Sequence, residues 1–289
     1  MSIDLVLEAL IAGVLLGCFY AAVSIGLSVA FGLLDVPHIA HPAFLVTGAY
    51  GVYGINQWGV DPILAGVVLS PLFFFLGVGV YRFYHAVFER RGSDAGLRGL
   101  AFFFGVAFIV EVALILNFGV DQRMVEAGYI GQSLSLGDYR VPYRMLVAFA
   151  VALGLTVMLS LYLSRTFMGR AIKAVAQDET GLALMGANPV KVKQWAFGIA
   201  TATCPIAGAL LIVIGPVEPG LGRLYIGRCF CVAVLAGLGS MKGTLAAGVI
   251  LGIAESLVLS SMGASWAPAV AFGLLLAVLA VRPTGLFGR

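Results

Sequence analysis

Several stretches of this chain approach or exceed the roughly 20 consecutive apolar residues that a helix needs to cross a bilayer. That property removes most possible folds. Backbone amides in hydrocarbon find partners only within helices or closed barrels, and continuous runs of this length read as helices. Of the 289 residues 61% are hydrophobic and only 11% charged, where a soluble domain carries roughly 25% charge. The expected fold class is all-α: a polytopic helical membrane protein forming one transmembrane domain over residues 1–289. Thirty-eight glycines suit it, because small residues let helices approach closely in lipid.

The first apolar block, 5–34, is long enough for one span and part of a broken second piece. Asp35-Val-Pro-His-Ile-Ala-His-Pro42 interrupts it with two prolines and two histidines. Further spans are expected at about 43–58, 63–81, 100–118, 141–163, 196–215, 244–261 and 264–281, with a short apolar piece at 229–238. The count is eight to nine transmembrane segments, with a broken helix near 35–42. Asp4 and Glu8 precede the first apolar run and no Lys or Arg does, so no cleavable signal is expected.

Positive loops stay in the cytoplasm. With the N-terminus outside and nine crossings, the outer loops carry Arg123, Arg140, Arg144, Arg223 and Arg228, leaving 12 of the 17 Lys and Arg inside. This orientation puts the longest polar interruption after 141, residues 169–192, in the cytoplasm. Within it Ile172, Val175, Ala176, Ala183 and Met185 stand near helical spacing, which predicts a short surface helix over 171–185. Gly186 and Asn188-Pro189 then stop the helix, glycine by a left-handed end and proline because it cannot continue the turn. A helix in such a loop suits docking a soluble partner; an ordinary solvated loop is the other reading.

Catalytic machinery is not evident: there is no HExxH, no Walker-type phosphate loop and no complete GxSxG elbow, so the chain is expected to be no enzyme. The net charge of +3, unclustered, argues against nucleic acid. Cys18, Cys204, Cys229 and Cys231 all lie in apolar segments and read as packing residues. Ionisable groups at membrane depth are costly and usually face a cavity or a partner. Glu111 and Glu255 are such groups, open to a substrate-path or gating role or to a packed, hydrogen-bonded carboxylate. His38 and His41 lie in the break, where non-helical backbone is tolerated if buried or lining water. Without Cys or a carboxylate cluster they are read as helix-end packing, and no metal site is expected. Ser24, Thr47 and Tyr50, on adjoining spans, could line a path or glue helices together.

Several stretches coincide with one family. Gly169-Arg-Ala-Ile-Lys-Ala-Val-Ala-Gln-Asp178 with Leu184-Met-Gly186, Leu235-Ala-Gly-Leu-Gly-Ser240 running on to Glu255, and Arg282-Pro-Thr-Gly-Leu-Phe-Gly288 resemble the permease subunits of branched-chain amino acid ABC importers, specifically the shorter of the two homologous permeases. The resemblance implies an ATPase-docking loop at about 165–193. Arg170, Lys173, Gln177, Asp178, Glu179, Leu184, Met185 and Gly186 would be its coupling residues. It also implies a second homologous permease, two ATP-binding cassette subunits that hold ATP and magnesium, a periplasmic solute-binding protein and the inner membrane. Members usually read Asn-Phe-Ala-His-Gly-Glu near the first break, whereas this chain has His38-Ile-Ala-His-Pro-Ala43. The solute class is thus left among branched-chain amino acids, urea or short amides, and aromatic carboxylates. An ion-coupled secondary transporter or channel using Glu111 or Glu255 is the alternative.

Overall fold

The computed structural model describes residues 3–91, 95–136, 139–237, 239–282 and 284–287. Its described residues form helices α1 (Ile3–Leu34), α2 (His41–Asn56), α3 (Pro62–Val87) and α4 (Ala95–Phe118), then a hairpin of β1 (Ser133–Leu136) and β2 (Tyr139–Pro142). There follow α5 (Tyr143–Arg165), α6 (Phe167–Val175), α7 (Glu179–Leu184), α8 (Pro189–Ile214), α9 (Leu221–Leu235), α10 (Met241–Met262) and α11 (Ala267–Val281). Six of them, α1, α3, α4, α5, α8 and α10, are long and apolar enough to cross a membrane. The others expected to cross, α2, α9 and α11, have 16, 15 and 15 residues. At about 1.5 Å per residue they reach ~22–24 Å, short of a ~30 Å hydrocarbon layer.

The helix starts follow from local chemistry. Asp61, Thr166, Asp178, Asn188 and Ser240 each accept a hydrogen bond from a backbone N–H in the first turn they precede. Pro62 and Pro189 stand at the first helical positions, where no N–H is needed. Asn188-Pro189, expected to end a helix, therefore also begins α8.

α1 and α8 form the buried centre, with Phe19, Ile25, Leu27, Phe197 and Leu210 fully enclosed. α10 lies antiparallel along α1, and glycines set their spacing. A Cβ at Gly13 would stand 2.7 Å from the Ile253 Cα, and one at Gly252 would collide with the Gly13 and Gly17 backbone. α3 packs along α8 in the same way, while α4 packs chiefly against α2 and leaves a broad apolar face uncovered (Phe104, Phe108, Ile109, Leu116).

The structure corrects two expectations. The segment over 171–185 is two helices, α6 and α7, because the Asp178 side chain caps a new start by accepting from the Gly181 N–H at 2.9 Å. Arg223 and Arg228, expected in an outer loop, lie on α9, which begins well before the short apolar piece at 229–238. Each is tolerated there because a carboxylate from another helix meets it: Glu111 for Arg223, Glu255 for Arg228.

Candidate functional site

The segment expected to dock a partner is built on an amphipathic α6, whose Ala171, Ile172 and Val175 are buried against the bundle while Arg170 and Lys173 face outward. Gln177 is exposed in the turn to α7. α7 buries none of its residues, and its end presents Leu184 and Met185, 85% and 86% exposed. Gly186 closes α7 in the left-handed region at φ 83°. The Ala187 N–H reaches the Leu182 carbonyl and the Gly186 N–H the Ala183 carbonyl, the paired bonds of a Schellman end. The Leu184–Met185 tip thus leaves two large apolar side chains uncovered on a closed turn, and covering them would be favourable.

One cation fastens this segment to the bundle. Lys193, nine-tenths buried in the first turns of α8, donates to Glu179 at 2.7 Å and to Glu89 at 2.9 Å. Glu89, in the turn after α3, also accepts from the Tyr81 hydroxyl at 2.7 Å and stands 2.8 Å from His85 Nδ1. Burial raises its pKa, but the bonds from Tyr81, His85 and Lys193 outweigh that and hold its carboxyl below the ordinary value. A cavity of about 160 Å³ lies beside the network, lined by Leu34, Asp35, Glu89, Glu179 and Lys193 among others. Sequence reading missed this network. Its partners come from three separate parts of the chain, and in the sequence Lys193 stands beside Lys191 and Gln194 as one more polar residue of the loop.

The expected break is present as non-helical backbone over 35–40. Asp35 leaves α1 at φ 53°, the only positive-φ non-glycine among the described residues, and α2 restarts at His41. His38 is fully buried among Phe44, Phe103 and Phe197, with its ring centre 4.5 Å from that of Phe197. Neither of its ring nitrogens has a hydrogen-bond partner. An unpaired buried polar group is costly. His41 is satisfied: Nε2 lies 3.0 Å from the Val23 carbonyl and Nδ1 3.5 Å from the Cys204 sulfur. Phe197 also lies against Tyr81, ring centres 5.7 Å apart. A continuous line of contacts thus joins Glu179, Lys193, Glu89, Tyr81, Phe197 and His38.

Of the remaining expected path residues, Glu111 shares a small pocket with Ile39 of the break and with Ala43, and the others make contacts of their own. Thr47 bonds the Ala43 carbonyl of its own helix, Ser24 is buried on α1, and Tyr50 is buried against Phe118 with its hydroxyl unpartnered. Glu255 is 3% exposed, accepts from the Tyr20 hydroxyl and pairs with Arg228 Nε at 3.0 Å. Glu111 pairs with Arg223 at 2.9 Å. Both carboxylates therefore carry a cation partner. At the end away from the docking segment, an open cavity of about 910 Å³ is lined by Tyr53, Asn56, Asp61, Arg123 and Glu126 among others.

Residues 9–279 match the family model described as branched-chain amino acid transport system / permease component. The chain belongs to this family. The permease is 28% identical to the high-affinity branched-chain amino acid transport system permease protein BraD of Pseudomonas aeruginosa, covering 98% of this chain and 96% of BraD. It is likewise 28% identical to LivH of Escherichia coli K12, with the same coverage. It is also similar to LivM of Escherichia coli K12, 28% identical over 92% of this chain but only 67% of LivM. The fuller coverage of BraD and LivH places the permease with the shorter of the paired types. The solved PsaBC from Streptococcus pneumoniae in complex with Fab shares the fold, with a TM-score of 0.50 and 13% identity, over 98% of this chain and 94% of that one.

Proposed function

We propose that this permease forms half of the translocation pore of an ATP-driven importer for branched-chain amino acids in the inner membrane. The observation that carries the reading is the family match from residue 9 to 279, which takes in the break, the docking segment and Glu255 together. Two ATPase subunits dock on α6 and α7 from the cytoplasm. A second homologous permease completes the pore, and a periplasmic solute-binding protein delivers the solute at the opposite face. The short helices α2, α9 and α11 cross together with their flanking non-helical backbone, giving nine crossings in all.

Transport follows from the line of contacts through Lys193. Closure of the ATPase subunits displaces the Leu184–Met185 tip. The ion pairs pass that displacement to α3 and α8, and the Tyr81–Phe197–His38 packing carries it to the break, where the bundle changes which side is open. The family match favours this reading over an ion-coupled carrier working through Glu111 or Glu255. Thiol labelling tests the arrangement: a cysteine at Gln132 is labelled from outside, and one at Thr180 only after the membrane is opened. Bound ATPase subunits protect the second. Labelling of the Thr180 position in intact cells would overturn the orientation.

A further inference from the structure

Arg223 stands in the first turn of α9, and its guanidinium meets Glu111 Oε1 at 2.9 Å. Glu111 lies on α4 seven residues before its end at Phe118, about 10 Å inside the helix terminus at 1.5 Å per residue. Glu111 is only 13% exposed, yet Arg223 is 70% exposed. A guanidinium open to its surroundings at that depth faces water or protein, because lipid tails do not solvate it. The first turns of α2 and α9 abut here: a Cβ on Gly222 would meet the Pro42 carbonyl at 3.4 Å and Ala43 at 3.5 Å. The pair closes a pocket of about 20 Å³ whose other walls are apolar, including Ile39, Ala43, Leu114 and Ile226. One cation, one anion and an aliphatic wall are the complement of a small zwitterion with an aliphatic side chain.

We propose that the Glu111–Arg223 pair is a solute station on the transport path, which an α-amino acid opens by exchange. The solute carboxylate takes the place of Glu111 on the guanidinium, and its ammonium group is taken by the Glu111 carboxylate. Charge is balanced before and after, so neither the empty nor the loaded station leaves an ion unpaired inside the membrane. A bare carboxylate satisfies only Arg223, and a neutral amide offers hydrogen bonds to both members but compensates the charge of neither. The inference rests on the amino acid importer reading and adds the residues that recognise the solute once the binding protein has released it.

The test uses the assembled complex in proteoliposomes, with ATP inside and binding protein saturated with radiolabelled leucine outside. Arg223→Gln and Glu111→Gln each lower the maximal uptake rate by about tenfold or more, while Arg223→Lys retains part of it. ATP hydrolysis stimulated by the loaded binding protein, and co-purification of all subunits, persist. The exchanged double variant, Glu111→Arg with Arg223→Glu, rebuilds the pair without recovering uptake, because the aliphatic wall fixes which end of the solute meets which helix. Uptake within about twofold of wild type in Arg223→Gln would overturn the proposal. So would recovery in the exchanged variant, or loss of subunit association in the single ones, since either makes the pair a strut. A wild-type complex that moves no leucine would overturn the importer reading itself.

Discussion

Lys193 on α8 and Glu179 on α7 meet at 2.7 Å, and the same ammonium group holds Glu89 at 2.9 Å. One nine-tenths-buried cation thus fixes α7 against both α3 and α8. Lys193→Met removes both bonds and leaves Glu89 short of its cation. Glu179 is half exposed and is rehydrated, so the expected loss is about 1–3 kcal/mol, most of it from Glu89. Hydrogen exchange of the amides of 176–184 should rise while that of 200–212 stays slow. Unchanged exchange in α7 would show that the segment is held by α6 packing alone.

The Glu89 carboxyl titrates below its ordinary value of 4.5: burial opposes this, and the bonds from Tyr81, His85 and Lys193 prevail. A depressed folded-state value means that the network's contribution to stability is complete above the ordinary value and is lost as pH falls through the lower one. The melting temperature in detergent should therefore show an acid decline that begins below pH 4.5 and shrinks in Glu89→Gln. An identical decline in the variant would assign it to other carboxylates.

Glu255 and Arg228 form a buried pair at 3.0 Å, with the Tyr20 hydroxyl as a third member. Removing one ion strands the other, at a cost of about 3–5 kcal/mol. Glu255→Leu should lower the melting temperature sharply, and adding Arg228→Met should recover much of the loss. Were Glu255 an ion-coupling carboxylate instead, the single variant would melt normally and change only the ion dependence of transport.

Gly186 ends α7 at φ 83° with open space around its α-carbon, so a substitution there is felt through the backbone alone. Gly186→Val forces a branched residue into the left-handed region at about 1–2 kcal/mol, and should turn the Leu184–Met185 tip away and reduce co-purification with the ATPase subunits. Gly186→Asn, which tolerates that conformation, should bind nearly as well as wild type. Equal binding by both would mean that the closed turn does not orient the docking tip.

The helical architecture was legible because hydrophobic length is a local property, and so was the end of α7 at Gly186. The division of 171–185 at Asp178 was less so: the same residue can sit on a helix surface or cap a new start, and only the path of the chain decides. Arg223 and Arg228 read as loop residues because the apolar piece begins only at Cys229, and the glycine- and proline-rich stretch before it reads as a connection. Their partners, Glu111 and Glu255, lie on other helices, and a single sequence does not pair them. Lys193 and Glu89, 104 residues apart, were hidden for the same reason. The break at 35–40 was visible from its prolines, but the unpartnered state of His38 emerges only once Phe44, Phe103 and Phe197 close around it.

The central claim is that this chain is the pore-forming half of an ATP-driven amino acid importer. Uptake of radiolabelled leucine into proteoliposomes tests it most directly, with the complex assembled with its partner permease, two ATPase subunits and binding protein. The account predicts accumulation that requires internal ATP and external binding protein and is indifferent to proton or sodium gradients. Accumulation driven by an ion gradient in the absence of ATP would contradict it.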